Sequence, residues 1–255
     1  RWVLPTLIVA ANSPDADILV SPFAGKAAYL LHHRGLTHSV VGLVVQAALI
    51  SVVVRAYYHF RPSSHRPSIL TVFAIAGIGL SSHLALDWLN SYGVRPWLPF
   101  ATRWYYGDMA FIVDPWIWLI LGGCIYAGSE LSRTQKCLWA LLAGSSTALI
   151  FRGASTGYVQ WIVPLLWLFG LAFFFILRLK SVQSGTPPKY PVLARTGLVT
   201  LGLYALLLFG LSRSAEMRVR ALAPESFARL STHPMPGVPW RFRVITQTEL
   251  TFDTY

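Results

Sequence analysis

Long apolar runs joined by short polar loops dominate the pattern of hydrophobic and polar positions along this chain. A hydrocarbon core of about 30 Å requires roughly 20 predominantly apolar residues for each helical crossing. Stretches near that length, with almost no charge, occupy residues 37–58, 68–86, 111–128, 136–151, 158–177 and 196–212. The sequence therefore predicts an all-α, polytopic transmembrane bundle of six helices, or seven if residues 2–11 end a further apolar segment.

The pattern changes character near residue 213. Several prolines interrupt the tail, and residues 240–255, WRFRVITQTELTFDTY, then alternate β-branched and aromatic positions with polar ones, as strands do. We therefore divide the chain into a transmembrane helical domain at 1–212 and a C-terminal extramembrane tail at 213–255 that folds as a small β-hairpin. The first domain contains a polar entrance at 12–36 and an aromatic loop at 91–110.

Composition supports an integral membrane protein, because 55% of the residues are hydrophobic and only 12% are charged. The net charge of +11 is scattered through loops and tail rather than striped along one polar face. That distribution favours anionic lipid headgroups as partners and argues against nucleic acid. Lys and Arg in the short loops 55–67, 129–136 and 178–195 would place those loops in the cytoplasm. We therefore expect an inner-membrane protein whose polar entrance faces outward, although the tail on that side also carries arginines.

Acidic residues are rare, and half of them lie in the first part of the chain. Only ten occur in all, and Asp15, Asp17, Asp87, Asp108 and Asp114 precede residue 115. An ionisable side chain at membrane depth costs about 2.5 to 3.5 kcal/mol on insertion scales, so it marks a functional site by default.

The first candidate element is NSPDADIL, residues 12–19, in which Asp15 and Asp17 stand two positions apart. In an extended segment both carboxylates point the same way and could address one cation. An Asx turn or a helix cap is the alternative.

The second candidate element is HHRGLTHS, residues 32–39. Gly35 permits a tight turn that would fold His33 back beside His38, at the start of the first long apolar run. We interpret His33 and His38 as metal ligands and His32 as a bystander. Interfacial histidines bonded to backbone are the alternative.

The third candidate element is SHLALD, where His83 and Asp87 are four apart in an otherwise apolar helix. An i, i+4 pair shares one helical face, so imidazole and carboxylate could bind one metal ion or each other. A structural hydrogen bond between helices is the alternative.

The aromatic loop supplies further cations. Arg95 and Arg103 are candidates for gripping an anionic headgroup or phosphate through bidentate bonds. Most of the tryptophans and tyrosines around them fit an interfacial belt. Asp114, followed by Pro115, is a candidate N-cap.

Taken in order, the motifs SPDADIL, HHRGLTHS, HLALDWLNSYGVRPWLPF, RWYYGD, FIVDP and PWRFRV resemble the YbcI/YdjM-like family. That family is classed with membrane-bound metal-dependent hydrolases by distant similarity to the zinc-dependent phospholipase C and nuclease group. The resemblance implies that Asp15, Asp17, His33, His38, His83 and Asp87 are its His and Asp positions. Its members commonly open with a Thr-His motif that has no counterpart after Arg1, so we expect a missing upstream piece.

Together, the candidate residues and the family resemblance predict a membrane-embedded hydrolase of a lipid or lipid-linked phosphoester. The mixed oxygen and nitrogen ligands favour Zn²⁺, with Mn²⁺ and Fe²⁺ as alternatives. Asp17 is the candidate general base, and Arg34, Arg95 or Arg103 would neutralise the departing anion. The rival is a non-enzymatic transporter or scaffold with a structural His and Asp network.

Overall fold

The computed structural model describes residues 2–20, 33–60, 66–185, 190–222, 229–247 and 252–254. Within these residues the chain forms seven α-helices: α1 (Val3–Asn12), α2 (Val40–His59), α3 (Ile69–Leu89), α4 (Pro115–Gly128), α5 (Arg133–Ser155), α6 (Ile162–Gln183) and α7 (Tyr190–Leu222). Three strands follow, β1 (Arg229–Met235), β2 (Val238–Gln247) and β3 (Phe252–Thr254). Two 3₁₀ helices, Pro14–Val20 and Leu36–His38, lie between α1 and α2.

The predicted membrane class is confirmed. Among the described helices, α2, α3, α5, α6 and α7 are long and apolar enough to cross a membrane, whereas α1 and α4 are shorter apolar helices. Each of the six predicted spans falls on one of these helices. His32 and part of the polar entrance lie outside the described residues.

Capping explains where two helices differ from the predicted spans. Helix α4 begins at Pro115 rather than at 111, because the Asp114 carboxylate accepts hydrogen bonds from backbone amides of the first turn. Helix α5 begins at Arg133, where Ser132 and Gln135 form a reciprocal capping box. These caps fix the helix ends more sharply than hydrophobicity does.

Helix α7 continues past residue 212 to Leu222. Its added segment is polar, and Glu216 pairs there with Arg213 at 2.7 Å and with Arg220 at 2.9 Å. These i, i+3 and i, i+4 pairs support an exposed helix that an apolar run does not reveal. The assignment of 213–255 to an extramembrane tail stays a prediction.

Residues 1–107 form the first of two compact units. Helices α1 and α2 both pack on α3 around a small core that includes Ala10, Ala76 and Leu80. The approach of α1 to α3 depends on Gly79, since a Cβ there would lie 2.9 Å from the Ala10 Cβ and 3.0 Å from the Leu7 carbonyl oxygen. This close contact brings the end of α1 beside the last turns of α3.

Residues 108–255 form the second unit, in which α4 packs on α6 and α7. Its buried core joins Ile150, Val163, Trp167 and Val238, so the hairpin contributes directly to it. The Trp116 indole N–H also donates to the carbonyl oxygen of the hairpin turn at Gly237, at 2.9 Å.

The predicted C-terminal hairpin is confirmed, with an additional strand on its N-terminal side. Strand β1 pairs antiparallel with β2 from Arg229 opposite Gln247, and β2 pairs with β3. The turn uses Gly237 at φ 68°. Strand β1 contains Pro234, beside a register irregularity, and proline is tolerated there because β1 is an edge strand.

Candidate metal centre

The segment that carries His33 and His38 is shaped by its backbone. Arg34 adopts a left-handed conformation, φ 55°, while Gly35 has φ −83°. The turn therefore brings the two imidazoles to a centroid separation of 5.9 Å as expected, but the left-handed residue is Arg34 and not the glycine. A non-glycine residue in this region costs of order 1 kcal/mol and persists only where its surroundings hold it.

Two small residues set the start of α2 just after this turn. The Ser39 hydroxyl accepts a hydrogen bond from the Gly42 amide at 3.0 Å and so caps the helix. Gly42 is required because a Cβ at this position would overlap the Leu36 carbonyl group. The cap directs the fully buried His38 side chain toward α3.

Three ligand atoms converge in the first unit. His38 Nε2 lies 3.2 Å from His83 Nε2 and 3.4 Å from Asp15 Oδ1, and His83 Nε2 lies 3.5 Å from the same carboxylate oxygen. Tetrahedral Zn²⁺ sites with bonds near 2.0–2.1 Å have ligand atoms about 3.3 Å apart. Asp15, His38 and His83 together could hold a metal ion.

Hydrogen bonds on the far side of each imidazole fix its tautomer. His83 Nδ1–H donates to the Ala11 carbonyl oxygen at 2.8 Å. The Thr37 hydroxyl donates to Asp17 at 3.2 Å, which leaves its oxygen to accept from His38 Nδ1–H at 3.0 Å. Both Nε2 atoms therefore present lone pairs to each other and to a carboxylate. Neutral imidazoles in these tautomers have no proton between the two Nε2 atoms, and a bound cation would fit this arrangement.

Asp87 adjoins the same two imidazoles. Its Oδ2 atom lies 3.3 Å from His38 Nε2 and 3.5 Å from His83 Nε2, and it is buried without a hydrogen-bond partner among the described residues. A buried carboxylate oxygen in this position needs a cation or a proton to compensate its lost hydration. Asp87 therefore borders the cluster of Asp15, His38 and His83 on the side of its two Nε2 atoms.

Arg34 holds the other side of Asp87. Its guanidinium donates to Asp87 Oδ1 at 2.8 Å, to Asn90 Oδ1 at 3.0 Å and to the Gly93 carbonyl oxygen at 3.1 Å. The arginine is 7% exposed, and the Tyr92 ring lies 5.4 Å beneath its guanidinium carbon. These contacts position Asp87 and occupy donors that the sequence interpretation assigned to a departing anion.

Asp17 lies on the Nδ1 side of His38 and not on its Nε2 side. Its two oxygens accept from His33 Nδ1–H at 3.2 Å, from the Arg34 amide at 3.0 Å and from the Thr37 hydroxyl. They face the Nδ1 side of His38, at 3.5 Å, whereas the converging ligand atoms lie on its Nε2 side. The structure thus places Asp17 and His33 beside the cluster of Asp15, His38 and His83. There Asp17 accepts hydrogen bonds from His33 and from residues next to His38 in sequence.

Arg95 and Arg103 form other contacts, with the aromatic loop. The guanidinium carbon of Arg95 lies 4.4 Å from the centroid of the Trp104 ring, and that of Arg103 lies 5.5 Å from the Tyr105 ring. Neither contact involves a carboxylate or imidazole of the cluster. Their predicted role toward an anionic group stays a prediction.

Several supporting residues were missed by the sequence interpretation. Asn90 directly follows α3 and accepts from Arg34, and the Ala11 carbonyl oxygen orients His83. The Thr37 hydroxyl links Asp17 to His38. Asn90 carries a usable signal, because it is a polar residue closely following the His83 and Asp87 pair. A backbone carbonyl carries none.

The fold and this cluster define an integral membrane protein with a candidate His and Asp metal site. The chain belongs to the YdjM inner membrane protein family, whose profile matches residues 1–159. It is therefore an integral inner-membrane protein.

Curated relatives agree with this membership. The chain is 25% identical over 145 residues to the uncharacterized protein YfhP of Bacillus subtilis (strain 168), covering 56% of this chain and 42% of that protein. It is 27% identical over 135 residues to the inner membrane protein YbcI of Escherichia coli (strain K12), covering 44% of this chain and 74% of that protein. The match thus spans less than half the length of YfhP. No solved structure matches the chain significantly.

Proposed function

We propose that the protein is a membrane-embedded, metal-dependent hydrolase that cleaves a phosphoester of a lipid or lipid-linked substrate. The observation that carries this proposal is the convergence of His38 Nε2, His83 Nε2 and Asp15 Oδ1 within 3.2–3.5 Å of one another. Both imidazoles have their Nδ1 protons committed elsewhere, so the lone pairs that meet are available for a cation.

In this proposal each residue of the cluster has a separate role. Asp15, His38 and His83 would hold the ion, and Asp87 Oδ2, beside both nitrogens, would be a second oxygen near it. This mixture of nitrogen and oxygen suits Zn²⁺, with Mn²⁺ and Fe²⁺ as alternatives. A divalent ion bound there would supply Lewis acidity and lower the pKa of water toward 7.

The carboxylates differ in exposure, and this separates their roles. The Asp15 side chain is 54% exposed, against 9% for Asp17 and 15% for Asp87. Asp15 is therefore at the solvent-facing side, where its second oxygen, Oδ2, can accept the proton of an attacking water. Asp17 orients His38, and Arg34 orients Asp87. We therefore assign Asp17 as a positioning residue and not as the general base, and Arg34 as a positioning residue and not as the group that binds the departing anion.

The exposure of Asp15 also favours catalysis over a purely structural site. Structural zinc sites are closed by protein ligands, whereas catalytic sites keep an open position for water or substrate. A half-exposed ligand at the edge of a buried pair provides such an opening. His83 and Asp87 lie in the last two turns of a candidate membrane helix, which supports a substrate anchored in the lipid.

Hydrolysis by the reconstituted chain tests the proposal. Protein in vesicles with Zn²⁺, Mn²⁺ or Fe²⁺ is assayed against panels of phospholipids and polyprenyl phosphates. The proposal expects release of product with at least one substrate and loss of that activity in His83→Ala and Asp87→Ala. The variant His59→Ala is the matched control, because His59 is an exposed histidine at the end of α2. If the metal-loaded protein is inactive on every panel, the result would contradict the proposal and favour the alternative of a non-enzymatic transporter or scaffold.

A further inference from the structure

A second feature of the first unit lies outside the metal cluster. An apolar groove of about 550 Å³ runs between α2 and α3 and continues beneath the aromatic loop. Its volume is within the range of ligand-binding pockets. Val44 contributes from α2, Phe73 and Trp88 from α3, and Trp97 from the loop. The groove is open, since Val44 is 53% exposed and Trp97 is 52% exposed.

Small residues on α3 create the depth of this groove. Gly77, Ser81 and Ala85 follow each other at i, i+4 and i+8, and all three line it. A Cβ at Gly77 would meet no atom within 4 Å, so the space above this glycine is empty of protein.

The groove is long enough to accept a lipid chain. From Phe73 to Trp88 the helix rises about 22 Å at 1.5 Å per residue. One leaflet of a bilayer is about 15 Å thick in its hydrocarbon part, half of the usual core. Because α2 and α3 are both long and apolar enough to cross a membrane, the groove between them would open to hydrocarbon.

A cation stands at the loop end of the groove. Tyr105 lines the groove, and the exposed Arg103 places its guanidinium carbon 5.5 Å from the centre of that ring. An apolar channel that ends beside an exposed guanidinium matches an amphiphile with an anionic head. Leu84 and Trp88 each follow a cluster residue in sequence and so point about 100° away from His83 and Asp87.

We propose that this groove binds one acyl chain of an anionic phospholipid, whose phosphate pairs with Arg103. The site is separate from the metal cluster and goes beyond the hydrolytic function. The bound lipid fills the space over Gly77 and covers the exposed face between α2 and α3.

Photolabelling of the full chain tests this proposal. The protein is reconstituted in nanodiscs of phosphatidylglycerol that contain a trace of phosphatidylglycerol with a diazirine on its acyl chain, and labelled peptides are mapped after irradiation. We expect label concentrated on residues 40–47 and 73–88. Gly77→Leu fills the groove and is expected to lower that label roughly tenfold. Arg103→Gln is expected to lower it roughly threefold, as for one exposed ion pair.

Two control variants separate groove binding from general effects of substitution. Gly144→Leu adds the same side chain to α5, another candidate membrane helix, where a Cβ also meets no atom within 4 Å. Arg133→Gln removes an exposed arginine at the start of α5. Both should leave the label on residues 40–47 and 73–88 unchanged. Leucine is a better helix former than glycine, and circular dichroism is used to check that each variant is folded.

Either of two results overturns the proposal. One is label in Gly77→Leu equal to that in the unsubstituted protein, or spread evenly over all exposed helix faces. The other is a cross-link from the groove to a second copy of this chain in place of lipid.

Discussion

His38 Nε2 and His83 Nε2 lie 3.2 Å apart, although 45 positions separate the two residues in the chain. The Nδ1 atom of each imidazole is hydrogen-bonded, in His38 to the Thr37 hydroxyl and in His83 to the Ala11 carbonyl oxygen. Two lone pairs at this distance repel unless a metal ion or a proton lies between them.

Asp17 should affect metal affinity without being a ligand. In Asp17→Asn the charge behind His38 is lost, and the affinity for Zn²⁺ is expected to fall about 10- to 100-fold, as for other partners of ligating histidines. Thr37→Val should act in the same direction, because it removes the acceptor of His38 Nδ1–H. Titration with a competing chelator measures both. At saturating metal each variant should still bind the full amount; a permanently lowered stoichiometry in Asp17→Asn would identify Asp17 as a ligand.

Arg34 should stabilise the fold through Asp87. Removing one partner of a buried ion pair commonly costs about 3 to 5 kcal/mol, because the other charge is left without compensation. We expect Arg34→Ala to lower the free energy of unfolding by about 3 kcal/mol, and Arg34→Lys to recover only part of it, since lysine lacks the planar fork. Denaturant unfolding in detergent, followed by circular dichroism, measures this. A loss below about 0.5 kcal/mol, the range of ordinary surface substitutions, would show that the pair is not important for stability.

Two glycines of α3 should respond oppositely to alanine. Gly79→Ala places its Cβ 2.9 Å from Ala10 and against the Leu7 carbonyl oxygen, so α1 must shift. The expected cost is about 1 to 3 kcal/mol. Gly77→Ala adds a methyl group in open space on the same helix and should stabilise by about 0.5 kcal/mol through backbone entropy. Because α1 supplies the carbonyl that orients His83, metal affinity should fall only in Gly79→Ala. Equal effects of the two substitutions would contradict the close packing of α1 on α3.

The second unit should lose stability as the pH falls. Burial lowers the pKa of His233 below its usual value near 6.5, with Arg243 on the paired strand acting in the same direction and Asp108 opposing both. His233 also contacts the Ser231 hydroxyl at 3.0 Å. The unfolded chain therefore takes up a proton near pH 6.5 before the folded chain does, and stability declines as the pH falls below that value.

The matched measurement is the thermal midpoint between pH 8 and pH 5 for the unsubstituted protein, His233→Gln and His59→Gln. We expect the pH slope to become shallower in His233→Gln and to remain in His59→Gln, whose histidine is exposed. An unchanged slope in His233→Gln would show that this histidine titrates alike in the folded and unfolded chain.

Long apolar runs made the membrane helices predictable, and the rarity of charges made the cluster predictable. His83 and Asp87 were evident because an i, i+4 polar pair is costly in an apolar helix. The orientation of the Asp17 side chain was not predictable, because it depends on a 3₁₀ helix that replaces the expected extended segment. The contact of Arg34 with Asp87 joins residues 53 positions apart, and no local pattern encodes such a pairing. Strand β1 was hidden by Pro234, which is acceptable only because the strand lies at an edge.

The central claim is that Asp15, His38 and His83 bind a divalent metal ion. The most direct test is the metal content of the purified full chain, measured by inductively coupled plasma mass spectrometry beside His38→Ala, His83→Ala and the control His59→Ala. We predict a stoichiometric transition metal, Zn²⁺ foremost, in the unsubstituted protein and in His59→Ala, with its loss in both cluster variants. Unchanged metal content in His38→Ala and His83→Ala, or no metal in folded unsubstituted protein after incubation with Zn²⁺, Mn²⁺ and Fe²⁺, would contradict the account.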